Sequence, residues 1–234
     1  YYPLEFMAAL LEGDLEKFDR VIIDLKECER LGIDVLPPDI NQSRYYFTTE
    51  GDRSIRFGLG GIKNVGDDLV QRIVEERDEN GVYAHLDDFV HRVFESVSKK
   101  GIEYLIMSGT MDSFGEREAL VEVFPEVYEK EKARRKSQEI GQIDIFSMDG
   151  GHSTQTVDET SLPLKDKVDT GKILHWEKEL LSMYFSSHPL NNLQELFESR
   201  NVTPLADVLE NKKNNAVVII GVMVSKIRKI TTKI

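Results

Sequence analysis

The chain is poor in several things, and each shortage excludes something. It has one cysteine, Cys28, so no disulfide can close within it. Its five histidines (85, 91, 152, 175 and 188) do not fall at ligand spacing with one another or with Cys28, so no metal site is expected. That cysteine usage suits a reducing compartment, with the cytoplasm as the expected location. No run of 18 apolar residues and no signal peptide is present, so no membrane association is expected. Basic residues are also short: 30 Lys and Arg stand against 42 Asp and Glu, a net charge of −12. Bulk positive charge therefore cannot carry nucleic-acid binding, and any such contact has to be local and geometric. What is present is a core: 40% of the 234 residues are hydrophobic, enough for one or two domains.

Catalytic constellations are equally scarce. Ser108, Ser186 and Ser187 lack a supporting His/Asp pattern, so no nucleophile is expected. Asp87-Asp88 imitates a metal pair but sits where helix capping is expected. His175-Trp176 lies on an amphipathic pattern and is expected to pack, with His188-Pro189 ending that helix.

The pattern of apolar residues is mainly helical. Residues 3–31 read as two helices, with Pro3 suited to a first helical position and Gly32 to a C-terminal stop. LPPDIN (36–41) cannot be helical, because Pro37 and Pro38 remove donors. Residues 44–58 read as a β-hairpin around Glu50-Gly51-Asp52. Short helices and tight turns follow to about 135, with Leu69, Val70, Ile73 and Val74 on one helical face. EKEKARRKSQE (129–139) reads as a solvated helix end, and 147–170 as a Gly/Ser/Thr/Asp-rich linker. Helical spacing returns at 172–184, a short helix runs to about 199, Thr203-Pro204 reads as another helix start, and a β pattern begins near Ala216. The chain opens on YYPLEF and stops within that β pattern, as a piece of a longer protein would.

The stretch LGGIKNVGDDLVQRIVEER (59–77) carries the most chemistry. Ile62-Lys63-Asn64-Val65-Gly66 matches the turn of a helix-hairpin-helix motif. Such a turn needs unusual backbone angles, which Gly66 adopts freely and Asn64 tolerates. It presents backbone N–H groups at the start of the next helix, where the helix dipole favours a phosphate, and its candidate DNA contacts are Lys63, Asn64, Val65, Gly66 and Asp67. Contacts of this kind position DNA without reading its sequence. Asp67 and Asp68 favour the helix start but repel a phosphate, so an acidic cap on a plain αα-turn stands beside the DNA reading. A second copy, EYLIMSGTMDSFGEREALVEVF (103–124), repeats the order of helix, turn and helix. Its candidate contacts are Gly109, Thr110, Gly115 and Arg117, with Phe114 packing inside. Together the two units would grip both backbones of a duplex. Lys63, Arg72, Lys99, Lys100 and Arg117 are the nearby cations, each of which also suits a solvated surface.

YYPLEFMAALL (1–11), ECERLGIDVLPPDIN (27–41), IRFGLGGIKNVGDDLVQRIVEER (55–77), LIMSGTMDSFGEREAL (105–120), GQIDIF (141–146) and WEKELLSMYFSSHPL (176–190) occur in one order. In that order and spacing the chain resembles the C-family replicative DNA polymerases, the bacterial DNA polymerase III alpha subunits. The resemblance spans nearly the whole chain apart from 147–170. It departs at Asn64, where many hairpins carry Gly, and at His85–Phe94, where an Asp replaces a common aromatic.

The resemblance implies a mainly α fold. Residues 1–36 would end the fingers region, and 37–58 would be a Pro-rich linker and β-hairpin. Residues 59–135 would be a tandem helix-hairpin-helix domain binding double-stranded DNA, and 136–170 a linker. A helical segment would occupy 171–212, and 213–234 would begin an OB-fold. The palm's aspartates, which hold magnesium, lie upstream in the family, so this segment is expected to contain no catalytic residue, need no cofactor of its own and be inactive alone. Other replisome subunits would be met through other regions.

Within the resemblance, Gln142-Ile143-Asp144-Ile145-Phe146 is similar to the family's sliding-clamp-binding motif. Ile145 and Phe146 would fill an apolar pocket on the clamp and Gln142 would bond at a second subsite. Burying two such side chains contributes roughly 3–6 kcal/mol gross, less the cost of ordering the peptide. Two other classes are a stand-alone helix-hairpin-helix module and a protein-interaction fragment without DNA affinity. LPPDIN and YYPLEFM favour the polymerase, while the charge of −12 suits the last class.

Overall fold

A computed structural model describes residues 2–15, 17–96, 98–139, 158–164, 167–190, 193–210 and 217–222. The chain falls into two compact units, 1–186 and 187–234. The expected boundary after residue 170 therefore moves, because the next helix packs with the first unit. The architecture is mainly helical with one small sheet.

The first unit begins with α1 (Pro3–Asp14) and α2 (Phe18–Leu31). Pro3 stands in the first turn of α1, and Gly32 ends α2 in the left-handed region at φ 68°. Met7, Leu11, Val21 and Cys28 are buried between these helices and the rest of the core. Burial, with Asp24 and Glu27 nearby, pushes the Cys28 thiol up to about 11, so it behaves as a small hydrophobe.

The sheet contains β1 (Asp34–Leu36), β2 (Thr48–Glu50) and β3 (Ser54–Arg56), ordered β1-β3-β2. β2 and β3 form the expected hairpin, with Thr49 opposite Ile55 and Gly51 turning at φ 60°. β1 is an addition to the expectation: it pairs parallel to β3, with Val35 opposite Ile55. Three residues are too few to show an alternation, which is why it is invisible in the sequence. Pro37 and Pro38 stop it.

The loop after those prolines ties the unit together. Ile40 is fully buried and its N–H donates to the Thr110 carbonyl at 2.8 Å. The Asn41 amide exchanges two hydrogen bonds with the backbone of Tyr83, at 2.9 and 2.8 Å. The Ser43 hydroxyl donates to the Phe57 carbonyl, and the Arg77 guanidinium donates to the carbonyls of Ile40 and Ser43. Arg77 stands four residues after Ile73, on the apolar stripe of α3 (Asp67–Asn80), and only 6% of it is exposed. Its charge survives burial because loop carbonyls face it.

Helices α4 (Leu86–Val93), α5 (Lys99–Met107) and α6 (Arg117–Glu139) complete the bundle. At α4, His85 accepts from the Asp88 N–H and the Asp88 carboxylate accepts from the Ala84 N–H, so Asp88 has the capping role read for it. Asp87 does something else. It is buried and accepts from the N–H and hydroxyl of Thr160, at 3.0 and 2.6 Å. Residues 158–164, expected as linker, thus lie against the helices.

α6 continues through Pro125 to Glu139, and its polar end is not simply solvated. Glu131 is buried and accepts from Arg134 and Arg135, with His91 of α4 at 3.2 Å. Arg135 also bonds Glu95 and the His91 carbonyl. α7 (Thr170–Leu181) buries Ile173, Trp176 and Leu180, and leaves His175 exposed. It ends where Ser182 turns left-handed at φ 62°, not at His188-Pro189 as expected.

The second unit contains α8 (Gln194–Ser199) and α9 (Leu205–Glu210). The helix start read at Thr203-Pro204 is one residue early, since α9 opens at Leu205. The Thr203 N–H donates to the Ile219 carbonyl at 2.7 Å. Residues 217–222 are exposed or half-buried and form no strand, and the rest of the expected β segment lies outside the described residues. No described helix is long and apolar enough to cross a membrane.

Glu131 makes the α4–α6 joint sensitive to acid. Burial alone would raise its pKa, but hydrogen bonds from Arg134, Arg135 and His91 outweigh that and hold it at about 2. The folded value lies below the ordinary 4.5, so this contribution is complete above that pH and is lost as pH falls toward 2. Acid titration of unfolding free energy is expected to show a loss of about 2–3 kcal/mol across that window. Glu131→Gln should flatten it; an unchanged acid limb in the variant would assign the loss elsewhere.

Candidate nucleic-acid interface

The first hairpin is built by a close approach of two backbones. The Leu59 and Gly60 N–H groups donate to the carbonyls of Arg44 and Tyr45, at 2.8 and 2.9 Å. A Cβ on Gly58 would stand 2.5 Å from the Tyr45 carbonyl oxygen, so only glycine fits. A single 3-10 turn, Leu59–Gly61, takes the place of the first helix of the motif. Ile62 and Val65 then point into the core, while Lys63, Asn64, Gly66 and Asp67 face solvent.

The backbone of this turn differs from expectation at one glycine. Asn64 is left-handed at φ 65°, as its residue type allows. Gly66 is not: it is extended at φ −75° and serves as the N-cap of α3, with no side-chain capping bond. A Cβ there would meet nothing within 4 Å, so neither backbone angle nor space demands glycine. The Lys63 N–H is already taken by the Leu180 carbonyl of α7 at 2.9 Å, which seats the hairpin. Asp67 lies beside the Tyr45 hydroxyl, and their hydrogen bond, with burial and the carboxylate charge, pushes that phenol up to about 12.

The second hairpin has the expected form. α5 gives way to Gly109 at φ 83°, a 3-10 turn at Asp112–Phe114, Gly115 at φ 148°, and α6. Its predicted contact residues, however, face inward. Thr110 is fully buried, with its hydroxyl 2.5 Å from that of Ser108, and Gly109 is buried under the Arg117 side chain. Arg117 itself is 7% exposed. It bonds Asp112 at 2.6 and 3.0 Å and Glu177 of α7 at 3.1 Å. Burial would lower its pKa, but these two carboxylates outweigh that and hold it charged. Gly115 lies under Leu162, which a Cβ there would strike. Gly109, Thr110 and Arg117 are therefore interior rather than open to solvent, and Gly115 is half-buried under Leu162.

Glu177, missed in the sequence, is the other half of that joint. It is fully buried and also accepts from the Phe185 and Ser186 N–H groups, at 2.9 and 3.1 Å, and from the Ser186 hydroxyl. Phe185 then packs edge-on against Phe57, with centroids 5.9 Å apart. Its only sequence signal is its place between Ile173, Trp176 and Leu180 on the buried face of α7. Of the other cations, Lys99 bonds Glu129 and lies over Tyr128, while Lys100 lies over Tyr104. The pentapeptide Gln142–Phe146 lies outside the described residues.

Residues 32–120 match the family model described as a helix-hairpin-helix motif. DNA polymerase III subunit alpha of Mycobacterium tuberculosis is 32% identical over 99% of this chain and 20% of its own length. The subunits named alike from Chlamydia trachomatis and Escherichia coli K12 are 34% and 31% identical, over 100% and 96% of the chain. The chain belongs to the DNA polymerase III alpha-subunit family. It spans about a fifth of the length of the curated relatives it matches.

Within the family frame, the two most distinctive blocks have different tasks. LPPDIN is a structural clasp whose Ile40 and Asn41 bond Thr110, Arg77 and Tyr83. IRFGLGGIKNVG builds a hairpin whose turn leaves Lys63, Asn64 and Gly66 exposed.

Two measurements check this geometry. Asn64→Ala is expected to lower stability by about 1 kcal/mol through left-handed strain, whereas Gly66→Ser should raise it by up to ~1 kcal/mol by capping α3. Glu177→Ala removes one of the two carboxylates that face buried Arg117 and strands the Phe185 and Ser186 N–H groups, and should cost about 3–5 kcal/mol in urea unfolding, more than any exposed pair in the unit. A cost below about 1 kcal/mol would show that the joint is not structural.

Proposed function

We propose that this chain is the region of a replicative DNA polymerase alpha subunit that holds duplex DNA by its backbone and docks the sliding clamp. The exposed Lys63–Asp67 hairpin carries the DNA part of that reading. Asn64 bends the turn so that an uncapped helix start, backed by the α3 dipole, faces solvent beside Lys63. A phosphate there is bound by shape and N–H groups, which suits a protein that must slide along any sequence. Among the described residues no carboxylate stands within 4.0 Å of Lys63, so its charge is available. The net charge of −12 limits the grip to that patch.

The clamp part rests on Gln142–Phe146 and on its family position after the helix-hairpin-helix region. A short peptide docks weakly alone, and tethering to DNA-bound protein raises its effective concentration. Nucleotidyl transfer, with magnesium as its metal, belongs to the family's palm, so the segment alone does not extend a primer. Contacts with further replisome subunits and work in the cytoplasm follow from the same reading.

Fluorescence anisotropy with a labelled duplex of arbitrary sequence tests the DNA part. Affinity is expected to fall as salt rises and to be indifferent to sequence. Binding that ignores salt would favour a protein-interaction role instead. For the clamp, replacing Gln142, Ile145 and Phe146 together by Ala should abolish binding to the purified clamp; retained affinity would remove the motif from the reading.

A further inference from the structure

We propose that this region holds only one strand of the duplex, through the first hairpin, while the second hairpin is a joint for protein. The inference rests on the DNA reading above and narrows it. A tandem pair of hairpins suggests symmetric use, one backbone each, but the two are chemically unequal here.

A phosphate-binding hairpin needs free donors, a free cation and an uncovered surface. In the second hairpin the N–H groups of Gly109, Asp112, Phe114 and Gly115 already donate to Ile106, Gly109, Met111 and Asp112. Its cation, Arg117, already meets two carboxylates, and one of them, Glu177, is wholly buried. A phosphate held by Arg117 would have to displace that internal carboxylate. Displacing it would strand a buried charge that also holds the Phe185 and Ser186 backbone. Leu162 covers Gly115 from outside. The first hairpin is more open. Its Lys63 and Val65 N–H groups donate internally, and Asp67 and Asp68 stand in the first turn of α3. But Lys63, Asn64 and Gly66 are exposed, among the described residues no carboxylate pairs with Lys63, and the helix start has no side-chain cap. The second strand of a duplex must then be held by another part of the polymerase.

Charge placed at each hairpin separates the alternatives. Ser113 is exposed in the second turn, so Ser113→Glu and Ser113→Lys change its charge without entering the core. With the whole chain and a labelled duplex at ~50–200 mM salt, Lys63→Glu is expected to weaken binding roughly tenfold and to reduce the salt slope by about one. Both Ser113 variants should stay within about twofold of the parent, because a phosphate beyond a Debye length is screened. Thermal melts establish that each variant is folded. If Ser113→Glu weakens and Ser113→Lys strengthens binding as much as the Lys63 change does, the second hairpin lies on DNA and the inference is wrong, while the DNA reading stands. If the folded parent shows no salt-dependent binding, the DNA reading fails and takes the inference with it.

Discussion

Arg117 and Glu177 form the contact around which the helical unit is arranged. Sixty positions apart in sequence, they meet in a region where neither reaches water. A buried pair of this kind adds little net stability over an apolar pair, because both charges lose hydration. Its force is in specification: Glu177 is wholly buried and Arg117 is the cation that meets it, which ties α6 to α7. Glu177 passes that constraint to the backbone of Phe185 and Ser186, and Phe185 passes it to Phe57. Phe57 begins the segment that becomes the exposed hairpin. The position of the candidate DNA contact thus depends on an ion pair that cannot itself touch DNA.

The LPPDIN loop extends the same logic from the other side. Its amide, hydroxyl and carbonyl groups have partners at Thr110, Tyr83, Phe57 and Arg77. Two prolines keep the loop from becoming helix or strand, which leaves those polar groups for long-range use. The Ile40–Thr110 bond joins it to the second hairpin, so clasp and ion pair meet at one place. Gly109, Thr110 and Arg117 of that hairpin are buried at this crossing point of the unit's polar network.

Much of the fold was legible. Helical spacing located α1, α2, α3, α5 and the start of α6 because apolar residues recur there on one face, and Asn64 announced a left-handed turn by residue type. β1 was not legible, since a three-residue strand has no period to detect. Nor was the fate of 158–164, whose Thr160 is held only because Asp87 lies buried beneath it. Gly66 misled for a different reason. Glycine marks either a positive φ or an absent side chain, and composition alone does not say which.

What the residues determine by themselves is therefore local and statistical: a mainly helical chain, two hairpin signatures, no bulk positive charge, and blocks that belong to a polymerase family. Those properties depend on neighbours within a few turns or on motif order. Which cation is available, which glycine is covered and which hairpin faces solvent were decided only by tertiary structure. Lys63 and Arg117 are both basic residues beside similar turns, but Arg117 has a local partner in Asp112, five positions before it. The rest of its enclosure comes from Glu177, far along the chain, which reaches Arg117 and not Lys63.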